Sequence, residues 1–174
     1  YNIRPDHPAI VKGKAGSPYA IKDYYDVDPD LATDVPGRMK EFENLVSRTH
    51  RAGLKVIIDF VPNHVARQYN SDAQPDGTTQ LGANDDPNYS FSPYNNFYYI
   101  PQSELHGQFD MTGNALEPYH EFPAKATGNN RFDAYPNIND WYETVKLNYG
   151  VDYQNGGTCH FSPTPDTWTK MLDI

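Results

Sequence analysis

The sequence has one cysteine, Cys159, few large aliphatic residues, and no long apolar run. A single cysteine excludes an internal disulfide framework and any zinc site built from paired cysteines. No apolar stretch approaches the roughly 18 residues that a membrane-spanning helix needs. Basic residues are also scarce: 14 Lys and Arg stand against 23 Asp and Glu, for a net charge of −9. They are scattered and form no stripe that could follow a phosphate backbone, so nucleic acid is not an expected partner. There is no initiator Met and no signal-peptide pattern at Tyr1, so the natural N-terminus is expected to lie elsewhere.

Leu, Ile, Val and Phe together make up 33 of 174 residues, close to the level at which disorder becomes a live reading. Fourteen Tyr and two Trp argue against disorder, because aromatic rings bury large areas and disordered chains are poor in them. A folded, polar, loop-rich protein is expected, long enough for one domain with a sizeable core.

Residues 1–25 read as a Gly-, Pro- and Tyr-rich loop. A helix follows. Asp34 is the expected N-cap, Pro36 fits the first turn, and Met39, Phe42, Leu45, Val46 and Thr49 recur at helical spacing before Gly53 stops it. Leu54-Lys55-Val56-Ile57-Ile58-Asp59-Phe60-Val61 then reads as a strand covered on both faces, as in a parallel sheet.

From residue 66 to 140 only ten of 75 residues are Leu, Ile, Val or Phe, against nine of 21 in residues 45–65. So long an irregular stretch is unusual inside a compact domain. It reads as an excursion with its own aromatic core of Tyr89, Phe91, Tyr94, Phe97, Tyr98, Tyr99, Phe109, Phe132, Tyr135 and Trp141, with one short strand over residues 144–149. Thr164 and Pro165 then open a second helix as N-cap and N1, with Trp168, Met171 and Leu172 on its apolar face. A lone parallel strand cannot satisfy its own backbone. The chain is therefore expected to be a piece of a larger α/β protein, or to self-associate through unpaired strand edges.

In parallel α/β folds, binding sites gather at the carboxyl ends of the strands. Asp59, Asn63 and His64 sit there: a carboxylate, an amide and an imidazole that can orient hydroxyl groups or join a cation shell. Position alone equally allows Asp59 to hold backbone amides and His64 to cap a turn.

The order of segments decides between these. Gly16-Ser17-Pro18-Tyr19, then Asp23-Tyr24-Tyr25-Asp26-Val27-Asp28-Pro29-Asp30-Leu31, then the helix ending His50-Arg51-Ala52-Gly53, and finally the strand running into Asp59-Phe60-Val61-Pro62-Asn63-His64 resemble the alpha-amylase family of glycoside hydrolases. The resemblance implies an α/β fold, a partial (β/α)8 TIM barrel with an irregular inserted domain. Residues 1–65 would be part of the catalytic barrel, 66–163 the inserted domain B, and 164–174 the start of the next barrel helix. Trp141-Tyr142-Glu143-Thr144-Val145-Lys146-Leu147-Asn148-Tyr149 resembles the end of that insertion, with Lys146 where the family often has Asp.

Carried over to this sequence, the resemblance implies that Tyr19 stacks on the sugar beside the scissile bond and that His64 hydrogen-bonds a hydroxyl of the same sugar. Asp59 would brace the site, and Asn63 matches a calcium ligand of calcium-dependent members, so calcium is the one cofactor implied. The partner would be an alpha-linked oligosaccharide or polysaccharide, and a secreted or periplasmic location is the family-level expectation. The nucleophile and acid/base of the retaining reaction come from family segments beyond residue 174, so no catalytic residue is assigned. Glu117, Glu121 and Asp110, with His106 and His120 nearby, show no spacing that makes a substitute pair. Asn84-Asp85-Asp86 could hold a cation but reads more simply as a solvated acidic loop. Two rivals stand beside this reading: a noncatalytic carbohydrate-binding or interaction module, and an unrelated α+β domain that imitates the motif.

Overall fold

Helix α1, Arg38–Arg51, ends as its sequence dictates. Gly53 adopts a left-handed φ of 77°. Its N–H donates to the His50 carbonyl at 2.9 Å, and the Leu54 N–H reaches back to Thr49 at 3.1 Å. This paired closure satisfies carbonyls that would otherwise be orphaned. The helix start differs from expectation. Asp34 does not cap it; residues 34–37 form a separate turn, and Gly37 is the N-cap, with no side-chain cap bond. The residue before a proline is biased away from helical geometry, which places Val35-Pro36 outside the helix. The Glu41 carboxylate instead accepts the Thr33 and Asp34 N–H groups, at 3.0 and 2.6 Å.

The computed structural model describes residues 6–13, 16–106 and 118–174. Within them the expected parallel strand over residues 54–61 is absent. That run has no ladder partner, and Leu54, Ile57, Ile58 and Phe60 are exposed, Ile57 by 94%. A parallel strand is stable only between neighbours that take up its N–H and C=O groups, and the described residues supply none. The run is held at its end, where Tyr24 Oη donates to the Val61 carbonyl at 2.6 Å and Tyr149 Oη to that of Pro62 at 2.5 Å. No closed barrel forms among the described residues.

Among the described residues, three two-stranded antiparallel sheets form instead. Strand β1, His64–Ala66, pairs with β4, Thr144–Lys146, in the register His64↔Lys146, Val65↔Val145 and Ala66↔Thr144. Strand β2, Tyr99–Ile100, pairs with β3, Ala124–Lys125, and β5, Val151–Asp152, with β6, Thr158–Cys159. The strand expected over residues 144–149 is thus three residues long, and a Phe97–Leu147 bridge extends its pairing. Helix α2, Asp166–Asp173, begins one residue later than expected, with Pro165 itself as N-cap.

The main core gathers Val65, Phe97, Tyr99, Val145, Leu147 and Met171. A smaller one holds Leu105, Ala124 and Ala134. The expected aromatic core is only partly realised. Phe97, Tyr98 and Tyr99 are buried, and Phe132 packs edge-on against Tyr98 at 5.2 Å. Tyr89, Tyr94, Tyr135 and Trp141 are exposed, and Phe109 lies outside the described residues. Of α2's apolar side, Met171 is buried, whereas Trp168 is half-exposed and Leu172 largely so. No helix among the described residues is long and apolar enough to cross a membrane.

Candidate functional site

The β1–β4 ladder sets His64 across from Lys146, and the polar cluster grows from that pairing. The segment carrying Tyr19 is tied to the same place. It turns at residues 17–20, with the Ala20 N–H on the Ser17 carbonyl at 3.0 Å. Just beyond, the Ile21 carbonyl accepts the Ala66 N–H at 2.8 Å, lashing the loop to β1. As a result the buried His64 imidazole lies close enough to the Tyr19 backbone for that group to act on its protonation, while the Tyr19 ring stays 54% exposed. Two residues assigned to one sugar on sequence grounds are brought together.

Asn63 links the cluster. Its Nδ2 donates to the Gly128 carbonyl at 2.9 Å and lies 2.8 Å from His64 Nδ1, while its Oδ1 accepts from Lys146 Nζ. An ammonium can only donate, so the amide oxygen must face it and the NH2 must face the other two groups. His64 Nδ1 is then an acceptor, and the ring proton sits on Nε2. Burial holds the His64 pKa below its usual value, and the nearby Lys146 charge pushes the same way against the Tyr19 backbone. The imidazole is therefore neutral near pH 7. Burial likewise lowers the pKa of Lys146, whose ammonium lies 6.0 Å from the centre of the Tyr153 ring.

Close packing tightens the cluster. The Trp141 ring meets that of His64 at 5.4 Å. A Cβ on Gly128 would come 2.5 Å from Thr144 Oγ1 and 2.9 Å from His64 Cβ, so this position requires glycine. Asp59 lies apart: it is exposed in the unpaired run, and no hydrogen bond or ion pair joins it to a described residue. Sequence reasoning missed Gly128 and Trp141, and it noted Lys146 only as a departure from a pattern. The signal lay in the register of β1 on β4, which residue types alone do not specify.

Of the other carboxylates raised by the sequence, those among the described residues have structural partners. Glu121 is bound by Arg67 at 2.7 Å and Lys125 at 3.3 Å. Burial would raise its pKa, but those two cations and a backbone N–H outweigh that and hold it below the usual range. Asp85 accepts the Asn96 and Phe97 N–H groups and the Tyr99 hydroxyl, and acts as a clamp on the backbone. Glu104 bonds His120, and His106 stacks flat on Tyr135 at 4.6 Å. Asp110 and Glu117 lie outside the described residues.

The chain matches the alpha-amylase family, described as alpha amylase, catalytic domain, over residues 8–149. It is 47% identical over 51 residues to the amino acid transporter heavy chain SLC3A1 of Rattus norvegicus, covering 29% of this chain and 7% of that protein. It is 38% identical over 80 residues to an alpha-glucosidase of Apis mellifera, 46% of this chain and 11% of that one. Trehalose-6-phosphate hydrolase of Bacillus subtilis (strain 168) is 41% identical over 51 residues, 29% of this chain and 8% of its own length. The matched segments thus span between 7% and 11% of these relatives. No solved structure matches the chain.

Proposed function

Because the chain belongs to the alpha-amylase catalytic-domain family, we propose that it forms the substrate-holding edge of a glycoside hydrolase acting on alpha-linked glucans or oligosaccharides. The observation that carries this reading is the lashing of the Tyr19 segment to β1 through Ile21 and Ala66, which sets an exposed aromatic ring near a buried, neutral imidazole. A sugar's C–H face packs well on such a ring, and hydrogen bonds to ring hydroxyls can strengthen as the oxocarbenium-like transition state forms. In this reading His64 Nε2–H serves a sugar hydroxyl.

In this reading residues 1–65 and 164–174 belong to the barrel and 66–163 to the inserted domain. Asp59 would reach its bracing position only once its strand is paired. A retaining hydrolase also needs two carboxyl groups about 5 Å apart; in this reading neither comes from this chain, and the intact enzyme draws both from elsewhere.

Kinetics of the intact protein on maltooligosaccharides and an aryl alpha-glucoside test the proposal. Tyr19→Ala and His64→Ala should each lower kcat/KM by roughly 10- to 100-fold. Unchanged values in both would refute it. A noncatalytic binding or interaction module is the second reading, favoured by the 47% identity to a protein named as a transporter heavy chain. Saccharide binding without turnover, lost at exposed aromatics such as Trp141 and not at His64, would select it.

A further inference from the structure

The donors around Asn63 do not fit a calcium ion. Calcium takes about six to eight oxygen ligands, yet Asn63 Oδ1 already faces the Lys146 ammonium, and the Gly128 carbonyl is turned to Asn63 Nδ2. Among the described residues, the carboxylates grouped closely enough to share an ion are Asp23, Asp26 and Asp72. Of these, Asp26 is already paired with Arg38.

We propose that Lys146 is the resident cation of this site, holding Asn63 in one orientation and through it fixing His64 toward Tyr19. The position of the side chain follows from the fold. The ladder places Lys146 opposite His64, one residue from Asn63, so a four-carbon stem brings its ammonium to the amide oxygen. The Tyr153 ring flanks the charge on another side. Without the ammonium, Asn63 could flip its amide and present oxygen to the Gly128 carbonyl and to His64 Nδ1, two acceptors it cannot satisfy. His64 would then take the other tautomer and lose Nε2–H as a donor. Lys146 is in this sense a positioning residue, which acts on substrate only through Asn63 and His64.

The inference deepens the glycosidase reading, and its test is built to separate the two. Thermal melting of the intact protein needs no substrate. Because a ligand that binds only the folded state must raise its stability, millimolar calcium chloride against EDTA should leave Tm unchanged if Lys146 fills this role. A rise of several degrees with calcium that Asn63→Ala abolishes would overturn the proposal. Lys146→Met should lower Tm, with no recovery in calcium, and Lys146→Arg should restore most of it; a Met variant as stable as wild type also overturns the proposal. On maltooligosaccharides, Lys146→Met should lower kcat/KM about tenfold in the wild-type background and less than about twofold in His64→Ala, since residues acting as a unit are not additive. Full additivity would show that Lys146 does not act through His64. If no variant and no wild type turns over any glucan, the glycosidase reading fails, and the melting experiments still decide the role of Lys146.

Discussion

Arg67 and Glu121 form an ion pair sealed from solvent, with Nη1 and Oε1 2.7 Å apart and the Arg67 side chain fully buried. The same guanidinium donates to the carbonyls of Tyr142 at 2.7 Å, Thr144 at 3.1 Å and Lys125 at 3.2 Å. It therefore joins the end of β1 to β3 and β4. A charge taken out of water this far is stable only while its partners remain.

Glu121→Ala should consequently destabilise the protein by about 3 kcal/mol, the cost of leaving a buried charge uncompensated. Chemical denaturation of wild type and variant measures it. A loss below about 1 kcal/mol, as for an exposed pair, would mean the pair is hydrated in solution.

The same residue shapes the acid limb of stability. The folded-state pKa of Glu121 lies below its ordinary 4.5. Its contribution is therefore complete above about pH 4.5 and is lost as pH falls through the lower, folded value. Asp85 runs the other way. Burial raises its pKa above 3.8, so the folded state takes up its proton first and acidification through that range is stabilising. Melting temperature should fall below pH 4.5 in wild type, and Glu121→Gln should flatten that fall while lowering Tm at neutral pH. Parallel slopes in the two proteins would contradict the assignment.

Gly128→Ala should cost about 1–3 kcal/mol, because the added methyl meets Thr144 and His64 on a packed strand pair. Saccharide binding should weaken by more than the stability loss explains, since the clash falls on His64 itself. Gly77→Ala is the control: φ there is left-handed, unlike that of Gly128, and nothing lies within 4 Å of its Cβ. It should perturb stability and leave binding unchanged.

The exposed run of Leu54, Ile57, Ile58 and Phe60 should make the 174-residue chain associate with rising concentration, since unpaired apolar edges recruit partners. Sedimentation velocity checks this. Paired Ile57→Lys and Ile58→Lys substitutions should return the species to a monomer, and a wild-type chain already monomeric at high concentration would show that the run is covered.

Features decided within a few residues were legible in the sequence. Gly53 ends α1 where a left-handed residue was expected, and residues 144–146 are extended as their composition suggests. Features decided by distant partners were not. Val56, Ile57 and Ile58 look the same whether or not neighbouring strands exist, so a buried strand was expected where none forms. At the site, the loop of Tyr19 and the strand of His64 were expected near one another, and the Ile21–Ala66 bond ties those two segments together. Lys146, far along the chain, could not be read as Asn63's partner without the ladder.

That ladder has a further consequence. Asn63 and Lys146 are 83 positions apart, yet they sit at the neck of a closed ring whose two ends are clamped side by side. Closing such a ring depends only weakly on its circumference: doubling the residues in it costs about 0.6 kcal/mol. New sequence spliced into an exposed turn, such as that at Asp76 and Gly77, should leave the neck unmoved. The excursion is thus free to vary in length, as an evolving surface or as a place to graft one, while His64 and Lys146 stay face to face.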